Sequence, residues 1–287
     1  MQETQVNQPT FSFELFPPKT EAGIAKLHDT VATLNARQPA FFSVTYGAGG
    51  STQRNTFATI DWLRDQRISA APHLSCVGSS RAEIIEILQR YAGQEIDRIV
   101  ALRGDLPSGA GAGGIGDLGH ANELVALIRE NFGDQFQIEV AAYPEMHPQA
   151  PNFSADLENF RRKVDAGADS AITQYFYNAD AYVRFVEASH DLGVTIPIVP
   201  GIMPITNFTN LVRFSDACGA EIPRWLRKRL EAYGDDTDSI RQLGSEVVTN
   251  LCEQLLKQGA PGLHFYTMNQ ASPTLTIWDN LGLSSQS

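Results

Sequence analysis

The chain has 287 residues, 33 acids against 22 bases for a net charge of −11, and three cysteines. That length suits a strand-and-helix barrel folded as one unit, and it buries enough surface to need no disulfide or metal staple. A hydrophobic content of 43% excludes a disordered chain, and the acidic balance excludes a nonspecific nucleic-acid binder, which needs clustered Lys and Arg.

Local cations or helix N-termini can still hold an anion in an acidic chain. Cys76, Cys218 and Cys252 are odd in number and widely spaced. They form no disulfide framework and point to a reducing, cytoplasmic setting. No apolar run approaches the ~18 residues of a membrane span. The segment MQETQVNQPT has neither the basic nor the apolar region of a signal peptide. Residues 1–10 read as a polar arm, 11–283 as one folded domain and 284–287 as a flexible tail.

In chain order, the arm leads into a strand near 11–16 (FSFELF) and a helix over 21–36, where Ile24, Leu27, Val31 and Leu34 recur at helical spacing. A strand near 41–46 (FFSVTY) and a helix over 53–66 follow. Next come a strand near 70–76 (AAPHLSC) and a helix over 81–92 carrying Ile84, Ile85, Leu88 and Tyr91. Strands near 98–103 (RIVALR), 137–143 (QIEVAAY) and 170–176 (SAITQYF) alternate with helices over 119–132, 154–166 and 178–192. Ser154, followed by Asp156 and Leu157, suits a helix start. A strand near 196–202 (IPIVPGI) and a helix over 207–217 come next. Pro223 then breaks the chain before a short extra helix and a long one over 237–258, and the last strand is near 262–267 (GLHFYT).

Several of these strands are nearly continuous apolar runs, as parallel strands buried on both faces require. Eight strands alternating with helices predict an α/β chain folded as a single (β/α)₈ TIM barrel; an open doubly wound sheet is the rival. The segment SGAGAGGIG at 108–116 matches G-x-G-x-x-G by letter. It follows the fourth strand rather than opening the first helix, so it reads as a surface loop.

In a barrel, functional groups sit at the C-terminal strand ends. Here those ends carry Glu14, Thr45, His73, Asp105, Tyr143, Gln174 and Tyr266. Such a set points to a ligand-lined mouth. Glu14 stands among three phenylalanines and Leu15, and an apolar setting raises a carboxyl pKa into the range of a general acid. A structural Glu paired with Arg or Lys is the equal alternative. Asp105 lies in RGDLP, where Arg103 reads as a phosphate contact and Gly104 permits close approach; the alternative is a turn that Asp105 caps. His73 and His147 read either as ligand contacts or as core histidines, and Lys163 as a solvated helix charge or a ligand contact. His73 and Cys76 lack a second pair with ligand spacing, so no metal site is expected. No Ser or Cys nucleophile has a base and elbow motif.

The segments FSFELFPP, FFSVTYGAGGST, APHLSC, IVALRGDLP, AAYPEMHP, KVDAGADSAITQYFY, PGIMPITNF and HFYTMN occur in order over 11 to about 282. Together they resemble the bacterial single-domain form of the methylenetetrahydrofolate reductase family. The resemblance implies a barrel with noncovalent FAD at the strand C-termini. It also implies a ping-pong reduction of methylenetetrahydrofolate to 5-methyltetrahydrofolate with NADH as donor, within one-carbon metabolism and methionine supply.

By the same resemblance Glu14 is the general acid, and Asp105 holds the pterin and influences the flavin. Gln174 bonds the pterin, Phe214 stacks on nicotinamide or folate, and Tyr266 lines the folate site. Thr45, His73, Arg103, Gly104, Tyr143, His147, Asp156 and Lys163 match flavin-binding positions, and His120 takes the place of a Tyr that stacks near the adenine. Gln270 stands where the family often has an Arg that meets the folate tail. The glycine-rich loop is longer than in the family, and the large eukaryotic regulatory domain has no counterpart. The family also implies a cytoplasmic homo-oligomer. The rivals are a related reductase fed by a partner electron-transfer protein, a flavin-free barrel aldolase or lyase, and a non-catalytic folate- or flavin-binding barrel.

Overall fold

The computed structural model describes residues 8–46, 50–105 and 116–283. The parallel strands run β1 Thr10–Leu15, β2 Phe41–Val44, β3 Ala70–Ser75, β4 Arg98–Leu102, β5 Gln137–Ala142, β6 Ser170–Thr173, β7 Ile198–Val199, β8 Gly201–Ile202 and β9 Gly262–Tyr266. They pair in the order β7-β6-β5-β4-β3-β2-β1-β9-β8. Helices alternate with them: α1 Glu21–Asn35, α2 Gly50–Asp65, α3 Arg81–Gly93, α4 Ala121–Phe132, α5 Phe153–Asp165, α6 Ala179–Asp191, α7 Phe208–Cys218, α8 Arg224–Tyr233, α9 Thr237–Lys257 and α10 Ala271–Asn280. The result is a nearly closed single-domain barrel, not the open sheet.

The seventh barrel position differs from the expected single strand over 196–202. Pro200 has no N–H to give to a ladder, and it divides that strand in two. Ile198 and Val199 pair with β6, whereas Gly201 and Ile202 pair with β9. The change of partner at Pro200 joins the two edges. Its carbonyl still accepts from the His264 N–H at 3.0 Å.

Alternation along the strands decides what faces inward. On β1, Ser12 and Glu14 point into the barrel, while Phe13 points to the helices and packs with Phe42, Phe265 and Trp278 at ring distances of 5.6, 5.9 and 5.9 Å. Trp278 belongs to α10, a helix the sequence reading left out. Pro273 and the β-branched Thr274, Thr276 and Ile277 weaken its local signal. Pro273 is tolerated because first-turn N–H groups have no partner within a helix, and burial of Ile277 and Trp278 on the barrel wall holds the helix in place.

Side-chain caps open several helices. Ser80 and Glu83 form a reciprocal capping box on α3. On α5 the cap is Asn152, not Ser154: its side chain accepts from the Ala155 N–H at 2.9 Å. At the base of the barrel, buried Glu139 receives Arg98 and the Ser170 hydroxyl, so the interior charge there is paired.

Gly201 marks the closest approach in the barrel. A Cβ at this position would lie 2.1 Å from the Thr173 carbonyl oxygen and 2.6 Å from the Tyr266 ring. Gly201→Ala is therefore expected to destabilise the fold by about 1–3 kcal/mol, the usual cost of overpacking, seen as a lower urea midpoint. An unchanged midpoint would show that the closure can relax.

Candidate active site

The strands end around a cavity of about 670 Å³. All seven strand-end residues line it: Glu14, Thr45, His73, Asp105, Tyr143, Gln174 and Tyr266, together with Phe214 from α7. A second cavity of about 500 Å³ shares Gly104, Asp105, Tyr143 and His147 with the first and extends between α4 and α5. Arg103, His120, Asp156 and Lys163 line that extension. Gln270 lines neither space; it caps the start of α10 without a side-chain hydrogen bond. The loop over 108–116 lies outside the described residues except for Gly116.

Glu14 is 7% exposed, and its surroundings correct the expectation. Sequence neighbours on a strand point to opposite faces, so Phe13 and Leu15 turn away from the carboxyl. The groups that reach it are imidazoles: His73 Nε2 at 3.4 Å and His264 Nε2 at 3.8 Å from Oε2. Among the described residues no Arg or Lys pairs with it. The His73 contact lacks hydrogen-bond alignment and leaves that buried ring nitrogen without a hydrogen-bond partner at the cavity wall. Burial pushes the His73 pKa down, against the opposing pull of Glu14, so the ring is neutral near pH 7.

Gly104 has φ +85°, in the left-handed region that favours glycine, and a Cβ there would lie 2.8 Å from that of Ser75. Arg103 donates to the Gly104 carbonyl at 3.2 Å and has no ion-pair partner among the described residues. Asp105 is exposed to the cavity, and among the described residues its carboxylate caps no amide. Gln174 accepts from the Tyr175 N–H at 3.0 Å, and the Tyr266 hydroxyl donates to the Thr173 carbonyl at 2.7 Å.

The loop after β5 is held from α5. Asp156 Oδ2 accepts from the His147 N–H at 2.9 Å, next to Met146, whose φ of 101° is strained for a side chain with a Cβ. His147 Nδ1 accepts from the Gln149 N–H at 3.0 Å, and its ring meets Tyr143 edge-on at 4.6 Å. Burial pushes the Tyr143 hydroxyl up to about 12. Lys163 donates to the Ala141 carbonyl, and burial holds its ammonium down at about 8, with Asp156 pulling the other way. This is not the solvated charge that a helix position allowed.

His264, Ser12 and Ser43 are functional candidates that the sequence reading missed. Ser12 Oγ lies 2.7 Å from His264 Nδ1, and Ser43 Oγ 3.3 Å from its Nε2. The signal was strand parity: His264 is two residues before Tyr266 and shares its inward face. The three cysteines are free, and Cys218 lines the mouth. Among the described residues no helix is long and apolar enough to cross a membrane, and no group of His, Cys, Asp and Glu is placed to hold a metal ion.

A parallel barrel with a buried carboxyl, imidazoles and a long polar-edged cavity at its strand C-termini defines an α/β-barrel enzyme. The methylenetetrahydrofolate reductase family description matches residues 1–282. A 5,10-methylenetetrahydrofolate reductase of Escherichia coli strain K12 is 38% identical over 277 residues, 96% of this chain and 92% of that protein. A methylenetetrahydrofolate reductase (NADH) of Zea mays is 37% identical over 289 residues, 96% of this chain and 49% of that protein. The chain belongs to the methylenetetrahydrofolate reductase family and is an enzyme of that class. A Clostridium thermocellum protein that binds two copies of 5-methyl-5,6,7,8-tetrahydrofolic acid shares the fold, with a TM-score of 0.69 at 18% identity over 97% of this chain and 94% of that one.

Lys163 gives a pH test on the ligand-free protein. Its pKa is near 8 folded and 10.5 by default, so between these values the unfolded chain binds more protons. The cost of the buried ammonium is fully present below pH 8 and is relieved as pH rises. The stability of wild type relative to Lys163→Met should therefore climb from pH 8 to pH 10. A pH-independent difference in urea unfolding would refute the buried charge.

Proposed function

We propose that the chain reduces 5,10-methylenetetrahydrofolate to 5-methyltetrahydrofolate with NADH as hydride donor and noncovalent FAD, in alternating half-reactions. The observation that carries this reading is the convergence of Glu14, Asp105, Gln174 and Tyr266 in one cavity that opens directly into the cleft of Arg103 and Lys163. The elongated space fits a flat ring joined through a diphosphate to a second ring. The orphaned His73 Nε2, Arg103, which has no ion pair among the described residues, and the half-buried Lys163 are the polar groups such a molecule would satisfy.

In this reading Thr45, His73, Gly104, Tyr143 and His147 hold the flavin end. Arg103 and Lys163 face the diphosphate, and exposed His120 lies beside the adenine end. Asp156 acts from behind, holding the loop that presents His147. FAD, when bound, carries a hydride from NADH to the folate. Phe214 offers its ring to nicotinamide or pterin in turn, while Asp105 and Gln174 orient the pterin. Tyr266 closes the folate side of the mouth. Gln270 stands outside the cavity, where the folate tail would have to extend to meet it.

Glu14 gives its proton to the ring nitrogen that departs as the five-membered ring opens to an iminium ion, and is left as a carboxylate. The iminium carbon then takes the hydride and becomes the methyl group. The proton and the hydride together account for both hydrogens gained.

A flavin absorbance spectrum bleached by NADH under anaerobic conditions supports the cofactor and the donor together; a protein that stays colourless with added FAD removes both. For the acid, Glu14→Gln should cut folate reduction roughly 10²–10⁴-fold, the range of general-acid catalysis, while NADH oxidation by a dye continues. Equal loss of both activities in a flavin-loaded variant would sink the role of Glu14.

A further inference from the structure

Beneath Glu14 lies an imidazole that lines neither the mouth nor the side cleft. His264 is fully buried, and both ring nitrogens are engaged from within the barrel: Nδ1 by the Ser12 hydroxyl at 2.7 Å, Nε2 by the Ser43 hydroxyl at 3.3 Å. It therefore cannot touch substrate. A polar ring in a barrel interior is costly unless its hydrogen bonds are made, and here two serines, on β1 and β2, are spent on one ring from β9. Their common neighbour is Glu14, whose Oε2 lies 3.8 Å from Nε2.

We propose that His264 is a positioning residue for the Glu14 proton, its Nε2–H held by Ser43 before proton transfer and taken up by the Glu14 carboxylate after it. The proposal rests on the reading of Glu14 as proton donor. In the tautomer proposed, the Ser12 hydroxyl donates to Nδ1, the closer contact at 2.7 Å against 3.3 Å at Nε2. That leaves the ring proton on Nε2, which points between two oxygens. While Glu14 is protonated, Ser43 is the better-placed acceptor. Once Glu14 has released its proton, the carboxylate is the stronger acceptor, and an approach of about 1 Å brings it to charge-assisted distance, in the direction that catalytic contacts tighten when a site fills. Such a contact is stronger after the transfer than before, which is what accelerates a step.

The other groups facing Glu14 do not supply it. His73 on β3 is nearer, its Nε2 3.4 Å from the same oxygen, but it lines the cavity and in the proposed reading that nitrogen serves the flavin. Tyr266 on β9 gives its hydroxyl proton to Thr173, and burial pushes that hydroxyl well above its ordinary pKa. Ser43 on β2 is uncharged. With His73 turned to the cavity, His264 is the donor that stabilises the carboxylate from within the barrel, and removing it makes Glu14 a weaker acid.

The test is the titration of the Glu14 carboxyl in ligand-free protein by difference infrared spectroscopy, its band assigned by its absence in Glu14→Gln. His264→Asn keeps a partner for Ser12 but ends short of Glu14, and should raise the midpoint by about one pH unit. His264→Gln, whose amide N–H reaches the Nε2 position, should restore it. Ser43→Ala frees Nε2–H for Glu14 and should lower the midpoint; it leaves every ring in place and serves if the His264 variants do not fold. A purely structural His264 would move the midpoint in neither direction, and unchanged midpoints in His264→Asn and Ser43→Ala overturn the proposal.

Folate reduction gives the second readout. The donor must be protonated, so the rate falls as pH rises through the Glu14 midpoint, and that fall should move to higher pH in His264→Asn and to lower pH in Ser43→Ala. A wild-type enzyme that reduces folate, with His264→Asn giving the same profile, removes the role of His264 and leaves the reductase reading intact. A flavin-loaded wild type that binds methylenetetrahydrofolate without reducing it removes the donor reading; the infrared midpoints then decide the contact by themselves.

Discussion

A parallel strand shows alternate side chains to opposite faces, and the site depends on that alternation at β1. The residues FSFEL place Phe13 and Leu15 in the apolar layer beneath the helices and Ser12 and Glu14 inside the barrel. A one-residue slip would exchange the two sets, burying a carboxylate among phenylalanines and emptying the mouth. Pairing fixes the register from both sides, Glu14 lying opposite Ser43 on β2 and Tyr266 on β9. The same parity sets His264 one inward layer below Tyr266, so that acid, imidazole and both serines come from three adjacent strands.

Closing the barrel serves the site as well as stability. Pro200 breaks one ladder and Gly201 begins the next, and the missing Cβ lets Tyr266 pass close enough to bond Thr173 across the top. Outside the barrel, Trp278 from α10 backs Phe13 and Phe265. Packing on the helix side of β1 and β9 thus holds the strands whose inner faces carry Glu14 and His264.

Charge is distributed against the overall balance. An acidic chain of net −11 places Arg103 and Lys163 in the side cleft, and burial brings the lysine down to about 8, so its ammonium is held at a cost until an anion arrives. Anion binding and lysine protonation are therefore linked: whatever negative group enters the cleft raises the lysine pKa again. Asp156 moderates the same lysine while anchoring the loop that carries His147. One helix, α5, supplies both groups.

The sequence by itself determined the order of strands and helices, the barrel, and the set of side chains at the strand ends. Those follow from local periodicity and from the rule that parallel strands direct their C-termini to one mouth. It also carried the family, because eight segments in register are specific where each alone is not. Tertiary structure decided what surrounds each group. Glu14 was read among its chain neighbours, which the pleat turns away, and its real neighbours come from strands about 60 and 250 residues on. Lys163 reads as a surface charge on its helix and is half-buried only because its ammonium reaches the Ala141 carbonyl of β5. The helix α10, with a proline and three β-branched residues, has little local preference and exists because the barrel wall covers its apolar face. Local sequence sets periodicity and turn chemistry; burial and the pairing of distant groups are properties of the closed barrel.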